Sequence, residues 1–295
     1  MPTETRRRGV VAELVTASRP LSWINTAFPF AAAYLLTTRE IDVALVVGTL
    51  FFLGPYNLAM YGINDVFDYA SDAANPRKGG VEGALLEPGR HRLTIVAAIA
   101  LCAPSVVVLV LLGGPWSWLV LAISLFAVAA YSVPGLRFKE VPFLDSVTSS
   151  IHFVSPAVYG LVLAGAALTP QLVALLGAFF AWGVASHAFG AVQDVVPDRA
   201  GGIASIATVL GAARTVRFAI AAWTVAGLLM IATAWPGPLA AILVIPYIAA
   251  AAPFANVRDA DSGRANDGWR RFLAINYVVG FLVTMLLIWY AALTG

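Results

Sequence analysis

Asn64, Asp68 and Asp72 stand at i, i+4 and i+8, and Asp65, three residues before Asp68, shares their face if the segment is helical. A second acidic set, Asp194 and Asp198, is spaced i, i+4, with Pro197 expected to disturb a helix there. His187 precedes Asp194 by seven residues, which is about two helical turns and so the same face. Carboxylates that face one another repel unless something cationic lies between them. Oxygen-only donors suit Mg²⁺, which keeps waters and takes phosphate oxygens as well. Arg77, Lys78, Arg137 and Lys139 add donors suited to phosphate. Two carboxylate sets, magnesium and nearby cations together describe a diphosphate site.

The elements that must position these residues are long and apolar. The chain has 295 residues, 60% hydrophobic and 12% charged, with mean hydropathy +0.84. A soluble domain of this length carries about twice that charged fraction. The apolar runs reach roughly 18 to 25 residues, enough to cross about 30 Å of hydrocarbon. Continuous runs rather than short alternating segments exclude a transmembrane barrel. The reading is an all-α integral membrane protein with nine transmembrane helices, near 18–38, 43–66, 93–113, 116–134, 144–166, 169–193, 215–235, 238–256 and 271–293. The first run follows Arg6, Arg7 and Arg8, but its Pro20, Asn25 and Pro29 argue for a retained span over a cleaved signal. The arginines themselves read as a topology signal and a contact for anionic membrane lipid. Cys102, alone of its kind, sits within an apolar run as a packing residue.

Basic residues orient the spans. Apart from Arg39, they fall in the N-terminal arm and at the connections after even-numbered spans. That bias places the N-terminus in the cytoplasm and, with nine spans, the C-terminus outside. Both acidic sets then lie where an even span meets the cytoplasm. They are four spans apart, and each precedes a basic loop and two further spans, which reads as an internal repeat. One acidic loop beside a membrane is ordinarily a solvated connection, whereas two at matching positions are not. A secondary transporter also carries repeats and acidic ion sites, but usually near the midplane rather than at one interface. Polar groups at membrane depth, namely Asn25, Asn57, His152, His187, Gln193 and Asn276, call for partners. Interhelical hydrogen bonding is the expectation for Asn25 and Asn276.

The motifs Asn64-Asp65-x-x-Asp68-x-x-x-Asp72, Asp194-x-x-x-Asp198 and "YSVPGLRFK" at residues 131 to 139 resemble the UbiA superfamily of intramembrane prenyltransferases. The likeness covers the whole chain. It implies one membrane-embedded domain over residues 1–295, folded as a UbiA-type bundle. A narrower likeness, to the lycopene elongases of C50 carotenoid synthesis, is carried by "RPLSWINTAFPFAAAYLL", "GPYNLAMYGINDVFDYASDAANPRKGGVEGALL" and "VPFLDSVTSSIHFVSPAVYG". It implies dimethylallyl diphosphate as donor, lycopene as acceptor and Mg²⁺ as cofactor. On the family pattern, Asn64, Asp65, Asp68 and Asp72 match the first metal motif, and Asp194 and Asp198 the second. Tyr131 and Ser132 match positions near the allylic diphosphate, and Arg137 and Lys139 the basic end of that signature. His152 and His187 are candidates to take the final proton or to position water. The implied product is a C45 or C50 acyclic carotenoid, flavuxanthin-type in preference to a bacterioruberin precursor. The alternative within the superfamily is an aromatic, quinone-precursor or tetrapyrrole acceptor. Such a carboxylate acceptor would want a cationic clamp, and no Lys or Arg lies within the spans away from the cytoplasmic edge. No nucleic-acid partner is expected, and a partner carotenoid cyclase is left open.

Overall fold

A computed structural model describes residues 9–74 and 85–294; Arg77 and Lys78 lie outside the described residues, as does the side chain of Asp72. The described residues are helical, without strands. Among the described residues, eight helical stretches are long and apolar enough to cross a membrane: Val43–Phe67, Pro88–Leu112, Pro115–Ser132, Leu144–Leu163, Pro170–Val192, Ala212–Ile231, Gly237–Phe254 and Asp259–Thr294. The expected first span is a shorter helix, Ile24–Thr38, of 15 residues, about 22 Å at 1.5 Å per residue. It begins six residues later than expected because Arg19 takes a left-handed conformation (φ 52°) and a 3-10 turn, Pro20–Ser22, follows it. The helix ahead of that turn, Val10–Ala17, is separate. At the other end of the chain, the α-helical part of the last span starts at Ala265, earlier than the apolar run itself.

The chain packs as two units. One comprises Met1–Leu136 and Ser155–Gly165, the other Arg137–Val154 and Ala166–Gly295. In the first, Phe30, Phe51, Phe52, Tyr56 and Tyr159 are fully buried, with Phe30 and Phe52 rings 5.3 Å apart and Phe51 and Phe52 4.8 Å apart. Gly48 makes this packing possible, because a Cβ there would lie 2.1 Å from the Phe30 ring. Asn57 ties the helices together from within: its amide donates to Thr26 Oγ1 and to the Phe52 carbonyl, both at 2.7 Å. Asn57 therefore does not continue the face of Asn64. Asn57 is buried glue, and a π-helical segment, Leu58–Gly62, changes the register before Asn64. Asp42 caps the helix Val43–Leu53 by accepting from Leu45 N at 2.8 Å. That backbone bond holds its carboxyl below the ordinary carboxylate value.

In the second unit, Trp223 is fully buried among Phe189, Tyr247 and Phe272. Small residues let the helices approach, since a Cβ on Gly183 would meet Ser150 and one on Gly268 would meet Phe254 and Phe189. Ser150 instead donates to the Phe180 carbonyl at 2.8 Å. Asn276 accepts from the Tyr247 hydroxyl at 2.8 Å, the interhelical bond expected of it. Asn25 is exposed, so that expectation fails for it. Long apolar side chains such as Ile99, Leu111, Phe126, Phe281 and Ile288 are exposed, as they must be where the surrounding solvent is hydrocarbon.

Candidate active site

Asn64 and Asp65 lie on the last helical segment of the second span, Ile63–Phe67, directly after the π turn. The helix then breaks at Asp68, whose backbone sits at φ −98°, ψ −1°, and resumes as Tyr69–Ala74. A continuous helix through Asp72 was expected, and the break corrects it. The second acidic set repeats this geometry. The sixth span ends at Val192, Asp194 sits at φ −98°, ψ 1°, and a helix of 6 residues, Val195–Ala200, carries Asp198. Each motif thus places one aspartate, Asp68 or Asp194, in the sparsely used bridge region, where many active-site residues sit. Pro197 lies four residues after Gln193, so its ring and missing N–H are incompatible with a helix continuing through the Gln193 carbonyl, and the helix is interrupted there as expected. The proline stands in the first turn of the short helix, where a missing N–H costs nothing. The backbone N–H of Asp198 bonds the Asp194 carbonyl at 2.9 Å, as that of Asp68 bonds the Asn64 carbonyl at 2.9 Å.

Within the first unit, two of the motifs meet. Ser132 Oγ, buried at the end of the fourth span, donates to Asn64 Oδ1 at 2.9 Å. Tyr131 precedes it, half-buried. Asp65, expected as a metal ligand, makes a contact that the sequence did not show. Its carboxylate is fully buried, and Oδ1 accepts from Arg19 Nη2 at 2.8 Å. The Arg19 guanidinium also lies 4.3 Å from the centre of the Tyr61 ring, a cation–π placement. The sequence reading missed Arg19, because its partner is 46 residues away.

In the second unit, Arg137 takes a left-handed conformation (φ 40°) and pairs with Glu140 on the following turn, Phe138–Glu140, which also carries Lys139. The arginine holds the Glu140 carboxyl below its ordinary value. His187 Nδ1 is 3.0 Å from Ser146 Oγ, and His152 is buried. Asp145, unnoticed in sequence, is fully buried and accepts from Ser146 N at 2.7 Å and Ile206 N at 2.8 Å. The loop after Asp198 is fastened by Arg199, which donates to Asp259 at 2.6 Å and to the Thr208 carbonyl at 2.6 Å.

The donors at both kinks, an amide oxygen and carboxylates, are the hard oxygen class that Mg²⁺ prefers. Among the described residues no three His, Cys, Asp or Glu side chains converge on a ready-made cage. Mg²⁺ does not require one, since it is bound through one or two carboxylates together with phosphate and water. The residue set fits the ion.

The UbiA prenyltransferase family model matches residues 26–278. The chain belongs to this family. The "C(50) beta-cyclic carotenoids biosynthesis protein LbtBC" of Dietzia sp. is 55% identical over 95% of this chain, which spans 65% of that protein's length. The "Lycopene elongase/hydratase" of Corynebacterium glutamicum is 48% identical over 93% of this chain and 96% of its own. A UbiA homolog from Archaeoglobus fulgidus, solved with DMAPP and Mg2+, shares the fold with a TM-score of 0.64 at 18% identity, covering 90% of this chain and 98% of that one. The UbiA-family prenyltransferase is accordingly an enzyme and a multi-pass membrane protein.

Proposed function

We propose that this UbiA-family prenyltransferase transfers a dimethylallyl group from dimethylallyl diphosphate to lycopene, giving C45 and C50 acyclic carotenoids. The observation that carries the reading is the pair of matching kinks at Asp68 and Asp194 in a chain similar to lycopene elongases. The family motifs assign the metal-bound diphosphate to Asn64, Asp68 and Asp72 and to Asp194 and Asp198. Bound there, Mg²⁺ supplies the charge that stabilises the leaving diphosphate. Arg137 and Lys139, with Arg77 and Lys78, share the negative charge that develops. Arg137 exchanges Glu140 for the diphosphate to do so. Ser132 fixes the Asn64 amide, so that its oxygen is held in one orientation. Tyr131 stabilises the allylic cation through its ring, a contact of about 0.5–2 kcal/mol. The terminal double bond of lycopene attacks that cation, and the tertiary cation left on the carotenoid loses a proton or takes up water. His187, oriented by Ser146, or His152 receives the proton.

The deciding assay incubates membranes holding this enzyme with lycopene and dimethylallyl diphosphate, with and without EDTA. Diphosphate release and a pigment heavier by one or two five-carbon units are expected, both suppressed by EDTA. Unchanged lycopene alongside prenylation of an aromatic acceptor would overturn the substrate assignment. Substrate translocation without diphosphate release would point to a transporter.

A soluble diphosphate is delivered from the cytoplasm, so both acidic sets face it, with the N-terminus inside and the C-terminus outside. A reporter fused at the C-terminus is expected to be extracytoplasmic, and one inserted in the segment 73–90 cytoplasmic. A cytoplasmic C-terminal reporter would mean an even number of crossings.

A further inference from the structure

Asp65 stands inside the first acidic motif, yet its surroundings differ from those of a ligand. Its side chain has no solvent exposure, and the Arg19 side chain that meets it is 21% exposed. Arg19 is built into this contact twice over: it stacks on Tyr61 at 4.3 Å, and it adopts a left-handed backbone (φ 52°) between Val10–Ala17 and the Pro20–Ser22 turn. A non-glycine residue in that region costs stability, and the salt bridge with its stacking offsets the cost. Tyr61 lies in the π turn and Asp65 in the segment just after it. Arg19 therefore grips the chain on both sides of the place where the helical register changes. Between the two gripped residues lies Asn64, whose side chain accepts from Ser132.

We infer that Arg19 is a positioning residue for the metal–diphosphate site: through Asp65 and Tyr61 it locks the register in which Asn64 and Asp68 are presented. Asp65 is the anchor for that lock and is not itself a ligand. This rests on the proposed prenyl transfer, which a wild-type control tests separately: wild-type enzyme without Mg²⁺-dependent diphosphate release would sink that function and leave the metal-binding arm below intact.

Four variants distinguish a lock from a ligand: Arg19→Met, Arg19→Lys, Asp65→Asn and the Arg19→Met/Asp65→Asn double. Removing Arg19 alone strands a buried carboxylate, the costly way to break a buried pair, whereas the double variant leaves no buried charge. Each is purified in detergent, checked for monodispersity and melting temperature, and titrated with Mn²⁺ in the presence of inorganic diphosphate by electron paramagnetic resonance. Asp68→Asn serves as the ligand-loss reference. Asp65→Asn, which keeps a hydrogen bond to Arg19, is expected to hold Mn²⁺ affinity within about 3-fold of wild type. Arg19→Met is expected to weaken it by about 30-fold, and the double variant to recover at least about 10-fold of that loss, within the usual span of coupling between contacting residues. Arg19→Lys keeps the charge but loses the planar fork and the stacking, and should fall between Arg19→Met and wild type. Turnover should follow the same order through kcat, with KM for dimethylallyl diphosphate changing less. If Arg19→Met fails to stay monodisperse, Asp65→Asn and the double variant still decide. Loss of Mn²⁺ binding in Asp65→Asn to the level of Asp68→Asn would make Asp65 a ligand and overturn the inference. So would a double variant that binds Mn²⁺ no better than Asp68→Asn, or a folded Arg19→Met indistinguishable from wild type.

Discussion

Asp68→Ala and Asp194→Ala should each abolish prenyl transfer while leaving the protein inserted in the membrane and folded. Each removes one of the two aspartates at the kinks where a span gives way to a short helix. Metal-borne charge stabilisation is worth several kcal/mol, and each 1.4 kcal/mol is about tenfold in rate, so the loss should be about 10³-fold or more. The fold should survive for a local reason. The bridge conformation at both positions is open to alanine, and the backbone bonds that flank it, Asp68 N to Asn64 O and Asp198 N to Asp194 O, do not involve the deleted side chains. Both aspartates are also only half-buried. Asp145 is the physical contrast: a fully buried carboxylate that satisfies two backbone N–H groups, where the side chain belongs to the scaffold. Turnover and detergent melting curves for the two alanine variants check the claim. Near-normal turnover in either would remove that cluster from the reaction, and loss of the folded protein in both would make the aspartates structural.

The spacing of Asn64, Asp68, Asp194 and Asp198 was legible because the chemistry is local: a few residues on one segment, set against an apolar background. The helices were legible because hydrocarbon imposes length and composition on them. What the sequence hid is non-local. Asp65 reads as one more carboxylate in an acidic run until Arg19, 46 residues earlier, is found on it. Asp259 reads as a loop charge, yet it accepts from both Arg199 and Ala212 N. The π turn at Leu58–Gly62 leaves no periodicity that a 3.6-residue reading could detect, and it moves Asn57 off the face of Asn64. Pro197 was legible for a local reason, since a proline forbids the helical bond to the carbonyl four residues before it, and the helix breaks there.

The remaining large effect concerns the fate of the carotenoid cation. Proton loss gives an alkene and water capture an alcohol, so the two outcomes differ in the origin of oxygen at the carotenoid C1 position. Salt-adapted proteins are usually strongly acidic, since high net charge preserves solubility. This chain has a formal net charge of +2, and Lys78 and Lys139 are its only lysines, the remaining basic residues being arginine. That composition fits a GC-rich bacterium better than a halophile. The site adds a chemical reason for proton loss. His187 lies against Ser146 and His152 is buried, so two imidazoles stand in this unit as candidate bases for the proton. Membranes incubated with lycopene and dimethylallyl diphosphate in H₂¹⁸O should therefore yield a five-carbon-extended product without label at C1. The corresponding His187→Ala or His152→Ala variant should slow product formation about 10²-fold if that residue is the base, the lower end of general acid–base contributions. Label at C1 in the wild-type product would assign the enzyme to the hydrating branch, with water rather than histidine meeting the cation.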